Sequence, residues 1–325
     1  MASVISRRVA LAALGGSLAL LGAPPARAAD KLRVGKSVSE VYGYVPLDIG
    51  MDKGIFEKHG LEIEEINFAG GTKMAQAVVA GALDISLSAG PEMALIAKGA
   101  PEIAIAAIAD SPAFMGISVG SQFAGSGIDS LKGKKIGVTT SGSLTDWLVA
   151  KLNQAKGWTG DDRAVAVAVG GSPTAAFAAL KIGQIDADVG GTSTGYQLEA
   201  LQAGRLLIDC SEYVDTIELF TIFASNAVIG QNAGAVRRFL KAWFESVDYM
   251  KSHKAESVPI AAKVTGYTEG VAERMYDTLM TKFSTDGKFR PQAIDALRAS
   301  FAEFKTLPEP IDMSKLYTEQ FLPQA

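Results

Sequence analysis

From residue 32 to residue 209 the chain alternates short β-rich runs with helical periodicity, and this alternation limits its possible folds more than any other feature. The runs 32–36, 61–68, 84–88, 103–108, 135–139, 164–169, 186–189 and 206–209 are mostly apolar and bounded by glycine or polar residues, as buried strands are. Segments at 46–58, 73–80, 92–98, 144–156, 174–182 and 195–203 between them carry helical spacing. Alternation of this kind predicts an α/β fold with mostly parallel sheets, because parallel neighbours need a crossover long enough to hold a helix. From Asn232 onward the strand signal fades. Helical periodicity takes over at 235–252, 269–283 and 291–305, so the C-terminal third is mainly helical.

The alternating part also repeats itself. Gly70-Gly71-Thr72 leads to Gly81 and Leu83-Asp84-Ile85, and Gly170-Gly171-Ser172 leads to Gly183 and Ile185-Asp186-Ala187. Each copy reads strand, Gly-Gly-hydroxyl, amphipathic helix, Gly, apolar-Asp, strand. The pattern predicts a duplication and two similar lobes facing each other. At each Gly-Gly-hydroxyl junction glycine lets the backbone approach closely, and the hydroxyl caps a helix whose other first-turn N–H groups stay unpaired. Such a terminus favours an anion. Similar helix starts occur at Ser88-Ala89-Gly90-Pro91, Thr140-Ser141-Gly142-Ser143 and Gly190-Gly191-Thr192-Ser193. In an open parallel sheet these all lie at the carboxyl ends of strands, where ligands bind. Five converging termini would make a small-molecule pocket.

Composition excludes much else. With 31 Lys+Arg against 35 Asp+Glu and a net charge of −4, the chain lacks the basic face that nucleic acid requires. Two His and one Cys, Cys210, are too few soft ligands for a zinc or iron–sulfur site, so neither metal nor cofactor is expected. There is no G-x-S-x-G elbow, no P-loop and no H-E-x-x-H pair. His59 and His253 are read as exposed cations at helix ends, Cys210 and Trp147 as packing residues. No catalytic residues are assigned, and the chain is read as not an enzyme.

Residues 1–28 read as an export signal. Arg7 and Arg8 precede an apolar run at 9–23, and Ala26-Arg27-Ala28 places cleavage before Ala29. The run is shorter than the ~20 residues a membrane helix needs. The paired arginines leave Sec and twin-arginine export both open. The expected location is a bacterial periplasm.

At Gly43-Tyr44-Val45-Pro46 and Asp52-Lys53-Gly54-Ile55-Phe56-Glu57-Lys58-His59-Gly60-Leu61 the chain resembles the periplasmic solute-binding proteins of ABC importers in the nitrate/sulfonate/taurine class, also described as NMT1/THI5-like. Gly81-Ala82-Leu83-Asp84, Lys98-Gly99-Ala100-Pro101, Leu131-Lys132-Gly133-Lys134-Lys135-Ile136-Gly137-Val138 and Ser141-Gly142-Ser143 extend the likeness. Asp48, Met51 and Glu92 depart from the usual pattern, so a relative's ligand does not transfer. The resemblance implies a two-lobed, periplasmic-binding-protein-like (type II) α/β fold with two crossovers between lobes. Mapped here, residues 31–117 plus 225–325 form lobe 1 and residues 118–224 form lobe 2, with 114–119 and 220–223 as hinge strands. It also implies a monomer that closes on a small molecule, without chemistry, and docks on ABC permease transmembrane subunits. Docking on a signalling membrane protein is an alternative. The related pyrimidine-synthase branch is an enzyme, but relies on a Cys-rich iron-binding run that Cys210 alone cannot replace.

On this frame the expected ligand-binding residues of lobe 1 are Ser39, Tyr42, Tyr44, Gly71, Thr72, Ser88, Gly90 and Glu92. Lobe 2 would offer Ser141, Ser143, Thr145, Gly191, Thr192 and Ser193, with Ser172 as an addition. Thr72, Ser143, Ser172 and Thr192 are equally readable as helix caps. Tyr42 and Tyr44 either pack on the core edge or stack on a planar ligand. Glu92 either complements a helix dipole or holds a ligand ammonium. Backbone donors favour a small organic anion such as a sulfonate or carboxylate. Glu92 with two tyrosines would instead suit a zwitterion or a heteroaromatic, pyrimidine-like ligand.

Overall fold

A computed structural model describes residues 29–324 apart from 69 and 309, and without the side chain of Thr72. The expected signal segment, residues 1–28, lies outside the described residues. The first elements are β1 (Asp30–Lys36), α1 (Val45–Asp52), α2 (Ile55–Lys58), β2 (Leu61–Asn67), α3 (Gly71–Val79), β3 (Ile85–Ala89), α4 (Met93–Ala97) and β4 (Glu102–Ala109). The chain then passes to β5 (Met115–Gly120), β6 (Lys135–Val138), α5 (Leu144–Lys156), β7 (Val165–Ala168), α6 (Pro173–Lys181), β8 (Ala187–Gly191), α7 (Thr192–Ala200) and β9 (Gly204–Asp209). It returns through β10 (Phe220–Ser225) to α8 (Asn226–Ser252), α9 (Lys254–Thr265), α10 (Glu269–Leu279) and α11 (Pro291–Glu303).

Two five-stranded sheets result, ordered β2-β1-β3-β10-β4 and β7-β6-β8-β5-β9. In each, four strands run in one direction, while β10 and β5 lie antiparallel to both of their neighbours. The two-lobed α/β expectation holds, with each sheet mixed rather than purely parallel. Both crossing strands are buried along their whole length. The continuous apolar runs that suggested hinges are therefore strands covered on two faces. The joints lie beside them, in 110–114 and 210–219, and the lobe limits move accordingly. Met115–Ile117 belongs to the second sheet, and Phe220–Ala224 to the first.

The duplication is visible atom by atom. Asp84 accepts the Arg33 backbone N–H at 2.8 Å, and Asp186 accepts that of Lys135 at 2.8 Å. Gly35 lies opposite Ser86 and Gly137 opposite Asp188. A β-carbon on Gly35 would stand 2.6 Å from Leu83, and one on Gly137 2.6 Å from Ile185. These are the same close approach made twice, and they explain why both strands carry glycine there.

The helical third packs on the first lobe, with α8 and α9 against α1. Its long helix begins where the pattern changed, at Asn232. The backbone there is non-helical, and its Oδ1 accepts the Ala235 N–H at 3.1 Å, an N-cap inside the α8 span.

Asp84 also pairs with the Arg33 guanidinium, whereas Asp186 holds only backbone. Asp84→Ala is expected to cost roughly 2–3 kcal/mol and Asp186→Ala roughly 1–2 kcal/mol. Urea unfolding checks this order, and equal losses would count against the clamp.

Candidate functional site

At the carboxyl end of β1 the chain turns back toward β3. The Ser37 N–H donates to the Leu87 carbonyl at 3.0 Å, and the Ser37 hydroxyl lies 3.1 Å from the Tyr44 phenol oxygen. The Gly70 N–H donates to the Ser37 carbonyl at 2.8 Å, drawing the start of α3 to the same point. Glu92 arrives from the exit of β3, accepts from the Ser88 hydroxyl, and lies against Gly71. A β-carbon on Gly71 would stand 1.6 Å from Glu92 Oε1, so a larger residue there would push the carboxyl group out of this position. Ser37, Tyr44, Gly71, Ser88 and Glu92 thus form one polar cluster. Burial pushes Glu92 up to about 7, opposed by its hydrogen bond from Ser88.

Several expectations change here. Tyr42 and Tyr44 are 3% and 1% exposed and pack on Phe283 and Phe220, with ring centroids 6.3 and 5.5 Å apart. Both side chains are core, leaving no free face for a planar ligand. Gly43 between them permits this, since a β-carbon there would meet Phe220 at 2.8 Å. At the start of α3 the Glu92 carboxyl group lies against Gly71, and no side chain caps the helix. The Gly90 N–H is already spent on the Leu219 carbonyl at 3.0 Å. Ser39 stands half-buried in the turn after β1, and the side chain of Thr72 lies outside the description.

In the second sheet Thr139, Ser143 and Thr145 gather their hydroxyls. Thr139 Oγ1 donates to Ser143 Oγ at 2.9 Å, and the Thr139 N–H donates to Thr145 Oγ1 at 2.9 Å. Ser143 caps α5 by accepting the Asp146 N–H, while Asp146 accepts the Gly142 N–H at 2.7 Å. This helix start is filled by an internal acid. Ser172 is exposed and caps α6. Ser141 is exposed on its turn, whereas Thr145 is buried. The start of α7, unlike those of α5 and α6, has no side-chain cap, and Gly191 is its N-cap. Thr192 is buried with its hydroxyl toward the Phe114 carbonyl, and Ser193 donates to the Tyr267 phenol oxygen at 3.1 Å.

Tyr267, in the turn between α9 and α10, thus ties the helical third to the second lobe. Burial raises its pKa, and Glu40, from the turn after β1, adds to the shift. Three segments therefore approach one another: the β1 turn, the start of α7 and the α9–α10 turn. Two more contacts cross between lobes. Arg274 pairs with Glu199 and lies 3.7 Å from the centre of the Tyr196 ring, and Lys151 reaches Glu303 at 2.9 Å.

Lys36 does not serve as an anion anchor. Its ammonium lies 2.7 Å from both Asp48 oxygens and 3.0 Å from Glu65, with 2% of the side chain exposed. Asp48, an oddity in the sequence, is the partner of this buried lysine. A polar cavity of about 430 Å³ opens beside the joints, lined by Asp110, Ser111, Asp215, Thr216, Lys282 and Lys288 among others. None of the expected ligand residues lines it. Sequence reasoning missed Ser37, Thr139 and Tyr267. The first two directly follow strands, whereas Tyr267 carries no local signal.

Lys36→Met would strand two acids near the core and is expected to destabilise the fold by about 3–5 kcal/mol in chemical unfolding. Glu92 and Glu102 are both pushed up to about 7 by burial. An acid raised in the folded state contributes stability below its unfolded pKa and loses it as pH rises through the folded value. Stability should therefore fall as pH rises from about 4.5 through about 7, by roughly 1–3 kcal/mol per group, read as a lower melting temperature, and Glu92→Gln should flatten the fall. Parallel pH curves for wild type and variant would contradict the burial of this carboxyl group.

A family model described as NMT1/THI5 like matches residues 44–257. A provisionally named binding protein of Brucella abortus (strain 2308) is 26% identical over 319 residues, covering 95% of this chain and 97% of that one. A 4-amino-5-hydroxymethyl-2-methylpyrimidine phosphate synthase of Candida albicans (strain WO-1) is 30% identical over 232 residues, covering 66% and 65%. Among solved structures, the alkanesulfonate-binding protein SsuA from Xanthomonas axonopodis pv. citri, bound to MOPS, superposes with a TM-score of 0.73 at 20% identity. It covers 89% of this chain and 98% of that one, a likeness of fold. With about two thirds of its length matched by the family and both lobes accounted for, this chain belongs to the NMT1/THI5-like family and has the periplasmic-binding-protein fold.

Proposed function

We propose that this chain is the solute-binding component of an ABC importer. Exported to the periplasm, it captures a small organic solute between its lobes, closes, and hands the solute unaltered to a membrane permease. The observation that carries the reading is the Ser193–Tyr267 contact. It brings the uncapped start of α7 against the part of the chain packed on the first lobe, near the polar ends of both sheets. Two sheets linked through short joints suit rigid-body closure. Shifting from ~1:99 to ~99:1 closed requires about 5.5 kcal/mol of preference for the closed form. A few charge-assisted hydrogen bonds from both lobes, at ~1.5–3 kcal/mol each, supply that.

The solute carries an acidic group and a donor-bearing group. The start of α7 suits a carboxylate or sulfonate, because its first-turn N–H groups have no side-chain cap. At α5 Asp146 accepts the Gly142 N–H, at α3 the Glu92 carboxyl group lies against Gly71, and Lys36 is consumed by Asp48 and Glu65. Glu92 faces the ligand as an acceptor and favours an ammonium or ring N–H. A zwitterion fits both ends better than a simple anion.

The synthase relative motivates a second reading, an enzyme. Against it, Cys210 is fully buried with its thiol pushed up to about 12, so it offers no thiolate. A thermal-shift panel of sulfonates, nitrate, aromatic carboxylates, amino acids and aminopyrimidines, followed by small-angle scattering with the best hit, tests the proposal. A more compact particle, tenfold weaker binding in Ser193→Ala and Glu92→Gln, and quantitative recovery of intact ligand are expected. Unchanged affinity in both variants would misplace the site. Conversion of the ligand by the purified protein would end the binding-protein reading.

A further inference from the structure

Two ion pairs run from one lobe to the other and have no task in solute recognition. Arg274 on α10 pairs with Glu199 on α7, and Lys151 on α5 lies 2.9 Å from Glu303 at the end of α11. Among the described residues, every other ion pair stays within its own lobe. In the second lobe α7 packs mainly on β9 and β5, and α5 on β6, β7 and β8. With the strands ordered β7-β6-β8-β5-β9, the two pairs stand toward different ends of the sheet and tie both flanks. None of the four charged residues belongs to the polar clusters of the candidate site.

An exposed ion pair is ordinarily weak, because two long side chains must be held in one geometry. Here part of that order exists beforehand. The Glu199 oxygen that does not meet Arg274 accepts the Leu206 N–H at 3.1 Å, which fixes the acid to the second lobe. The Arg274 guanidinium lies 3.7 Å from the centre of the Tyr196 ring, a second contact between the same two helices. Lys151 Nζ stands 5.7 Å from the centre of the Trp147 ring, one turn back along α5. An aromatic face attracts a cation and holds it in place. The four side chains are 23–49% exposed, so dissolved salt still reaches them.

We propose that Arg274–Glu199 and Lys151–Glu303 form a salt-sensitive latch that holds the lobes together from outside the solute site. These are positioning residues: they touch no solute and act by raising the closed fraction. Apparent affinity scales with the fraction of molecules in the tight-binding form. Breaking the latch therefore weakens capture without altering a single solute contact. This inference rests on the closure reading and goes beyond it. Closure there is driven by solute, and the latch makes ionic strength a second determinant.

Spin labels on Val79→Cys and Ile182→Cys, exposed positions of the first and second lobes, read the distance between lobes, and Cys210 is too buried to take a label. Without added solute, the closed-to-open ratio is expected to fall about threefold or more as NaCl rises from about 0.01 to 1 M. Over that range the screening length shrinks from ~30 to ~3 Å. Arg274→Gln combined with Lys151→Gln is expected to begin at the lower ratio and to show no salt response. Reversing one pair, with Arg274→Glu and Glu199→Arg together, is expected to recover the response that Arg274→Gln alone reduces. A merely structural contact would not be rescued in this way. A salt-independent ratio in the otherwise wild-type protein, a response retained in the double Gln variant, or no recovery in the reversed pair would overturn the latch. The salt series needs no charge variant, so the test survives if one fails to fold. Closure by a panel ligand without any salt response removes the latch alone. A latch-dependent salt response with no closing ligand in the panel removes the importer reading and leaves the latch standing.

Discussion

Each sheet of this protein takes its antiparallel strand from a chain segment that has just left the other sheet. β5 enters the second sheet between β8 and β9, and β10 enters the first between β3 and β4. Both are buried throughout and hydrogen-bonded on two sides, so neither can bend without breaking a ladder. Whatever flexibility links the lobes is confined to the short stretches outside these strands. Those stretches are not free coils either. The Thr216 hydroxyl donates to the Asp110 carbonyl at 3.0 Å, binding one joint to the other. On the closure proposed above, that bond makes the two joints turn together.

The duplicated scaffold carries two walls of different chemistry. Clamps from Asp84 and Asp186 set strand geometry alike in both copies. Above them, the first wall gathers Ser37, Tyr44, Ser88 and Glu92, and the second gathers hydroxyls around α5 and the open start of α7. Acids of the protein stand at two of the helix starts that looked vacant: Asp146 accepts the Gly142 N–H before α5, and Glu92 lies against Gly71 at α3 without capping it. The start of α7, which has no side-chain cap, directly follows β8.

Much of this was legible in the residues. Alternating periodicity predicted the α/β lobes, and matched Gly-Gly-hydroxyl and apolar-Asp signatures marked the duplication that the backbone then displayed. The fading of strand signal from Asn232 marked where the long helix begins, and the structure shows that residue capping it. Failures had physical causes. Extended apolar runs at 114–119 and 220–223 look alike whether they are hinges or central strands, because two-sided burial leaves no alternation. Tyr42 and Tyr44 looked accessible because Gly43 separates them, yet that glycine is what admits Phe220. Helix starts appeared empty because an acid such as Glu92, about twenty residues from α3, becomes its neighbour only through tertiary contact. Tyr267 lay beyond local reasoning for the same cause.

The turn at Gly90 links these levels. Its N–H is bonded to the Leu219 carbonyl, and a β-carbon there would stand 1.9 Å from the Glu218 carbonyl oxygen. Ser88 and Glu92 flank this glycine, while Glu218 and Leu219 belong to the second joint. On the closure proposed above, with Glu92 taking the solute, the loop that meets the guest is the loop bonded to the pivot. On that reading the pivot and the guest's berth act as one lever, and recognition and swinging shut form a single mechanical event rather than a signal relayed through the core.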